Sequence, residues 1–291
     1  MQIAVASGKG GTGKTTITVN LATYLIEQGE NVQLVDCDVE EPNSHFFLDL
    51  KYDPEEKQYV QVPEIDMDKC LGQSCQKCIR ECRFKALIWM VDQVMVFPEL
   101  CHSCGLCKLV CPADAVGDSH REIGAMRRVK KDNLHIYGGL LRIGEAMAPP
   151  LIARVKEAAR AEPKGTTILD CPPGTTCPVI ESLEGADYVI LVTEPTPFGL
   201  YDLQLAVQLM QKLHYPFGVV VNRQGMGGEE ELDKYLREND IEVLGRLPHT
   251  KEAAEAYSRG ELLVDVFPEF REIYADIWQR IENKVSAEVS A

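Results

Sequence analysis

Positive charge is scarce in this chain: 30 lysines and arginines stand against 45 aspartates and glutamates, a formal net charge of −15. Nucleic acid and anionic membranes both select for clustered Lys and Arg, so neither is an expected partner. No apolar run approaches the roughly 18 residues of a membrane span, which argues against membrane insertion. The opening Met1-Gln2-Ile3-Ala4-Val5-Ala6-Ser7 has no basic stretch followed by a long apolar one, so it does not read as a signal peptide. His45, His102, His120, His135, His214 and His249 fall at no metal-ligand spacing and read as structural or surface groups. Cysteine, by contrast, is abundant, with eleven in all. Thiols in ligand spacing without a secretory signal point to a reducing cytoplasm, the expected location, and away from a disulfide framework. At 291 residues, 45% hydrophobic and 26% charged, the chain can bury a large core as one α/β domain with an insertion or as two domains.

Ile3-Ala4-Val5-Ala6 suits a buried strand, and Gly8-Lys9-Gly10-Gly11-Thr12-Gly13-Lys14-Thr15 after it fits the P-loop pattern. Glycines let the backbone curl so that successive N–H groups point at phosphate oxygens. The helix that follows, expected at 17–28, adds the dipole of its N-terminus. Gly8 to Thr16 is therefore the expected phosphate-binding segment of an ATP site, with Lys14 on the β- and γ-phosphates and the Thr15 hydroxyl on Mg²⁺.

Residues 32–35 read as a second strand ending in Asp36-Cys37-Asp38, and 165–170 as a strand that ends in Asp170 and runs into Cys171-Pro172-Pro173-Gly174. Ligands of open parallel sheets gather at the carboxyl ends of strands, so both acidic turns should face the phosphates. Strands at 188–192, 217–221 and 242–247 alternate with helices at 150–161, 199–213 and 229–238, and 131–143 reads as strand or hairpin. That rhythm demands a mostly parallel, doubly wound α/β sheet covered on both faces. Residues 267–285 read as an amphipathic helix in which Glu269, Glu272, Asp276 and Glu282 balance Arg271, Arg280 and Lys284, a poor membrane anchor.

Eight of the eleven cysteines lie between Cys70 and Cys111, as Cys70-x4-Cys75-x2-Cys78-x3-Cys82 and Cys101-x2-Cys104-x2-Cys107-x3-Cys111-Pro112. The second run has the spacing that holds [4Fe–4S] clusters. Four-cysteine sites also suit zinc, but eight cysteines with two x2-x3 tracts favour clusters. Cys75, Cys78 and Cys82 recur 29 positions on as Cys104, Cys107 and Cys111, and Ala86-Leu87 recurs as Ala115-Val116. The polar stretch 51–65 reads as a linker into this segment. Residues 66–118 resemble a gene-duplicated bacterial ferredoxin. The resemblance implies crossed ligation: Cys70, Cys75, Cys78 and Cys111 hold one [4Fe–4S] cluster, and Cys82, Cys101, Cys104 and Cys107 the other. Two departures from that pattern are the x4 spacing and Arg83, where a proline usually follows the fourth cysteine. The expected domains are a discontinuous P-loop domain at 1–60 and 119–291 and an inserted, small α+β ferredoxin-like domain at 61–118.

The second loop lysine, in Lys9-Gly10-Gly11-Thr12-Gly13-Lys14-Thr15-Thr16, resembles the deviant Walker A box of the MinD/ParA/Mrp/nitrogenase-iron-protein superfamily of P-loop ATPases. The resemblance extends over nearly the whole chain, to the branch carrying an inserted ferredoxin domain. It implies that Lys9 reaches across a nucleotide-sandwich dimer, either a homodimer or a heterodimer with a related ATPase. Asp38 becomes a switch I acid that positions water or Mg²⁺, Asp170 the Walker B aspartate holding Mg²⁺ through water, and Gly174 the switch II glycine whose N–H senses the γ-phosphate. Asn222 and Arg223 match the adenine-recognition position, and Pro248 the base-facing loop. A switch II cysteine bridges two subunits through a cluster in the nitrogenase iron protein. Cys177 raises that option, with an ordinary thiol as the simpler reading, as for Cys37 and Cys171. No cysteine follows Cys177, so the Cys-x-x-Cys of Mrp/Nbp scaffolds has no counterpart. The implied function is ATP hydrolysis, weak without a partner, coupled to electron transfer or redox control of an unknown partner protein. The alternatives are iron–sulfur or metallocentre assembly, and MinD/ParA-like positioning with structural clusters.

Overall fold

The computed structural model describes residues 1–48, 50–162 and 165–289. Two compact units emerge: the first is Met1–Glu55, Met126–Leu140 and Ile152–Ala291, the second Glu56–Ala125 and Leu141–Leu151. In chain order, β1 (Gln2–Ala6), α1 (Lys14–Glu27) and β2 (Val32–Asp36) open the first unit. The second contains β3 (Glu56–Ile65), α2 (Lys77–Glu81), the hairpin β4 (Leu87–Met90) and β5 (Gln93–Val96), and α3 (Leu106–Leu109). β6 (Val116–Lys131) starts in the second unit and finishes in the first, and β7 (Leu134–Leu141) follows it. Then come α4 (Pro149–Ala161), β8 (Thr166–Asp170), α5 (Cys177–Leu183), β9 (Tyr188–Thr193), α6 (Pro197–Leu213) and β10 (Phe217–Gln224). The last elements are α7 (Glu229–Glu238), β11 (Val243–Pro248), α8 (Lys251–Ser258), α9 (Leu263–Val266) and α10 (Pro268–Val289).

In the first unit the strand order is β11-β10-β9-β1-β8-β2-β7, and every neighbouring pair is parallel. Strands covered on both faces need continuous apolar sequence, and Ile3-Ala4-Val5, Val189-Ile190-Leu191 and Val219-Val220-Val221 are fully buried. β1 lies between β8 and β9, so the loop leaving its carboxyl end emerges at the middle of the sheet. α1 contributes Ile17, Leu21 and Leu25 to the core, and Gly29, at φ 87°, follows its end. Along α10, Phe270, Tyr274, Ile277 and Ile281 recur at helical spacing in the same core, and Arg271 pairs with Glu27 at 2.6 Å.

One reading of the sequence needs correction. Residues 51–65 are not simply a linker, since Glu56–Ile65 is a ten-residue strand beside β6. Its polar, alternating sequence is that of a strand with one open face, where only Val62 is buried. The segment 131–143, which reads as strand or hairpin, contains β7 at Leu134–Leu141, next to the longer strand β6 that starts at Val116. α8 had no counterpart among the expected helices.

In the second unit the internal repeat is visible in the backbone. Gln76 and Gly105, 29 positions apart, are both left-handed at the starts of α2 and α3. Lys85 and Asp114, at the same separation, have φ of 56° and 48°. The repeated pairs Ala86-Leu87 and Ala115-Val116 are all buried. Arg121 and Glu145 form a buried ion pair.

Candidate functional site

The loop between β1 and α1 holds its shape by its own hydrogen bonds. Ser7 Oγ donates to the Lys9 carbonyl at 2.6 Å, and the Ser7 carbonyl accepts the Gly174 N–H at 3.0 Å. Gly13 has φ of 95°, and a Cβ there would lie 2.3 Å from the Asn222 amide nitrogen. Only glycine fits that position on both counts. Lys14, the first residue of α1, is buried, and burial lowers its ammonium pKa against the opposing influence of Asp170 and Asp38.

Asp36 and Asp170 are register partners on β2 and β8, and both are buried. Asp170 Oδ1 accepts from Thr18 Oγ1 at 3.2 Å and its Oδ2 from Ser44 Oγ at 3.1 Å. Asp36 Oδ2 takes the N–H groups of Asn43 and Ser44, both at 3.1 Å, and Oδ1 that of Asp38 at 3.2 Å. Asp36 therefore organises the loop from Asp38 to Ser44 and leaves Asp38 to face the cavity. Ser44 ties that loop to both strands. Burial and the neighbouring Asp170 push Asp36 up to about 8 and Asp38 up to about 6, and burial raises Asp170 as well. Asp170 and Asp38 act on Lys14, and with Asp36 crowded beside them the site is short of positive charge, which a divalent cation would supply.

Gly10, Gly11, Gly13, Lys14, Thr15, Thr16, Asp38, Asn222, Arg223 and Pro248 line one cavity of about 590 Å³. Gly8, Lys9, Thr12, Asp170 and Gly174 stand outside its lining. Asn222 donates its side-chain amide to the Thr12 carbonyl at 2.8 Å and accepts the Arg223 N–H at 2.9 Å, so it braces the phosphate loop. His249 and Tyr257 also line the cavity, and neither stood out in the sequence. Lys9 is engaged within its own chain, its Nζ lying 2.6 Å from Glu194 Oε1.

The cysteines of the second unit separate into two groups. Cys70, Cys75, Cys78 and Cys111 line one cavity, with Pro112 beside them. Cys82, Cys101, Cys104 and Cys107 line another, with Phe84 stacked on His102 at a centroid distance of 3.6 Å. Backbone N–H groups of Ser103 and Ala115 point at the sulfurs of Cys101 and Cys111, at 3.4 and 3.3 Å. Burial raises the thiols of Cys78 and Cys107, and surrounding cysteines add to the rise. None of the eight is in a disulfide. Among the described residues, no three His, Cys, Asp or Glu side chains form a group that could hold a single metal ion. In the first unit, Cys37 and Cys171 are fully buried, whereas Cys177, at the start of α5, is exposed.

Residues 3–264 match the CbiA family, described as the CobQ/CobB/MinD/ParA nucleotide binding domain. The chain is 31% identical over 264 residues to the uncharacterized protein MJ0579 of Methanocaldococcus jannaschii, covering 90% of each. It is 26% identical over 275 residues to the iron-sulfur cluster carrier protein of Pyrococcus abyssi, covering 89% of this chain and 77% of that protein. In fold it is similar to the septum site-determining protein MinD complexed with Mg-ADP from Pyrococcus horikoshii OT3. The TM-score is 0.60 at 20% identity, with 100% of this chain and 98% of the other covered. No helix among the described residues is long and apolar enough to cross a membrane. The chain thus belongs to the CobQ/CobB/MinD/ParA family, nucleotide-binding P-loop ATPases built on a large, mostly parallel α/β sheet.

Proposed function

We propose that this protein is an ATPase that couples nucleotide binding to one-electron transfer, or to redox control of a partner protein, through an inserted ferredoxin-like domain carrying two [4Fe–4S] clusters. The observation that carries the reading is the sorting of eight thiols into two quartets, each lining its own cavity. A cubane takes one thiolate on each of four irons, which suits thiols spread around a cavity, whereas zinc draws all four to about 2.3 Å from one point. N–H groups aimed at Cys101 and Cys111 suit sulfurs that carry thiolate charge. Cys70, Cys75, Cys78 and Cys111 would hold one cluster and Cys82, Cys101, Cys104 and Cys107 the other. Their chemistry when bound is one-electron exchange.

In the first unit, the loop N–H groups from Gly8 to Thr16 and the start of α1 cradle the phosphates, and Lys14 neutralises the β/γ charge. Mg²⁺ would supply the positive charge that the carboxylates lack, held by Thr15 and, through water, by Asp170 and Asp38. Asp38 orients the attacking water. Gly174 can report the γ-phosphate only by giving up its bond to the Ser7 carbonyl, which makes that bond the closed-to-open contact of the loop. Arg223 and Pro248 border the base, with Asn222 holding the loop beneath it. Lys9 is read as the cation offered to the nucleotide of a second copy. In sequence the insert lies between Asp38 and Asp170, so movement at either acid has a covalent route into it.

Cluster delivery is a second reading, favoured by similarity to proteins named iron-sulfur cluster carrier protein. Eight thiols in two internal quartets favour resident clusters over cargo. Anaerobic purification followed by iron, sulfide and EPR measurement tests the proposal. About eight irons per chain, retained through incubation with an apo-acceptor, are expected. Zinc in place of iron, or quantitative transfer of the iron to the acceptor, would overturn it.

A further inference from the structure

Lys9 of the phosphate loop and Arg223 of the cavity lining converge on one carboxylate, that of Glu194. Lys9 Nζ lies 2.6 Å from Oε1 and Arg223 Nη1 lies 2.9 Å from Oε2. Thr196 Oγ1 adds a contact to Oε1 at 3.3 Å. The two cationic side chains are partly exposed, at 29% and 42%, while that of Glu194 is only 10% exposed. The glutamate is the fixed member. It follows the last residue of β9, and a Cβ on Gly199 in the first turn of α6 would lie 2.3 Å from the Glu194 carbonyl oxygen and 3.0 Å from its Cγ. Thr196 caps the same helix by accepting the Gly199 N–H at 3.0 Å, and Thr193 Oγ1 donates to the Gly199 carbonyl at 3.0 Å. Packing therefore leaves the carboxylate little freedom, and the cations come to it. Arg223 reaches it from a backbone at φ 56°, a conformation uncommon for a non-glycine residue. Burial alone would raise the Glu194 carboxyl, but Lys9 and Arg223 bring it below its ordinary range and keep it ionised at neutral pH.

An ion pair this sheltered is short, charge-assisted and little screened by salt. A lysine so held cannot at the same time reach the phosphates of another molecule. We propose that Glu194 is a positioning residue that restrains Lys9 within its own subunit, so that two copies pair only when the ATP phosphates outcompete this carboxylate. The proposal rests on the reading of Lys9 as a cation acting across the pair. Its logic is that of a binding-competent state populated only in part: the apparent affinity of pairing falls by the fraction of subunits in which Lys9 is free. Arg223, released by the same event, turns from Glu194 to the cavity it already lines. The carboxylate thereby sets the ATP concentration at which pairing begins.

The test measures ATP-dependent pairing by sedimentation velocity in Mg-ATP for wild type, Glu194→Gln, Lys9→Ala and the double variant. Glu194→Gln keeps the size and an acceptor oxygen but removes the charge. Its half-maximal ATP concentration for pairing should fall about tenfold, which corresponds to releasing a restraint of about 1.4 kcal/mol. In the Lys9→Ala background the same change should have no effect on pairing, because the restrained group is gone. If Lys9→Ala pairs like wild type, Lys9 has no role across the pair and both readings fall. If Lys9→Ala loses pairing while Glu194→Gln leaves the threshold unchanged or raises it, Lys9 acts across the pair and the restraint alone is refuted. Should Glu194→Gln melt well below wild type, Glu194→Asp, which keeps the charge but draws it back by one methylene, replaces it. A lowered threshold supports the restraint, and an unchanged one overturns it.

Discussion

The two units of this chain are held together by different means. The first has an extended apolar core, from Ile3 and Ile17 through Leu34 and Ile168 to Phe270 and Ile281, and its phosphate loop is shaped by its own hydrogen bonds. In the second, a buried cluster of Val62, Ala86 and Cys101 has Cys82 packed against it, so cysteines are part of the core there. Under the proposed reading, clusters held by those thiols would add to the stability of the second unit. The proposal thus makes the fold of the first unit independent of the clusters and that of the second dependent on them.

Iron removal should separate the two most sharply. Anaerobic chelation is expected to open the second unit, so that limited proteolysis cuts within 66–118 while equilibrium dialysis shows ATP binding retained. Loss of both together would mean that the units are not independently built. Within the second unit, Cys107→Ser and Cys82→Ser should each lose one cluster, leaving about four irons and the same residual EPR signal. Different residual signals would refute crossed ligation. Lys14→Ala is the converse experiment: ATP turnover should fall by at least about 10²-fold with iron content unchanged. Normal hydrolysis by this variant would refute the phosphate-loop assignment.

Smaller effects sharpen the description of the first unit. Ser44→Ala removes a donor to the buried Asp170 carboxylate and should destabilise that unit by about 1.5–3 kcal/mol in urea melts without added Mg²⁺. An unchanged midpoint would show that Ser44 does not tie β2 to β8. Tyr274→Phe should be the mildest change. The Tyr274 hydroxyl is buried with no hydrogen-bond partner among the described residues, so its removal should be neutral or raise the melting point slightly, by less than about 1 kcal/mol. Clear destabilisation would reveal a partner for that hydroxyl.

The same contrast explains what the sequence disclosed. The central strands were legible because strands buried on both faces must be unbroken apolar runs, as at 188–193 and 217–221. The 29-residue recurrence was legible because it repeats in residue type, and the backbone repeats with it at Gln76 and Gly105. β3 was obscured by its polar alternation, which reads as a linker when the neighbouring strand is unknown. Asp36 and Asp38 look equivalent in sequence, and only the fold gives one to the 38–44 loop backbone and the other to the cavity. His249 reaches the cavity beside Pro248, and Tyr257 from α8, a helix with no motif of its own. Glu194 lies 185 positions from Lys9, and no local pattern marks that pairing.

The central claim is that nucleotide and electron affect one another in this chain, and potentiometry tests it most directly. Redox titration followed by EPR should be performed with and without a non-hydrolysable ATP analogue and Mg²⁺, together with analogue binding to the oxidised and reduced protein. Linkage requires the two effects to match. The account predicts a midpoint shift of at least one cluster by roughly 40 mV, which is what a coupling of about 1 kcal/mol gives for a one-electron couple, with a corresponding change in affinity. Identical potentials with and without nucleotide, and equal affinities in the two redox states, would contradict it.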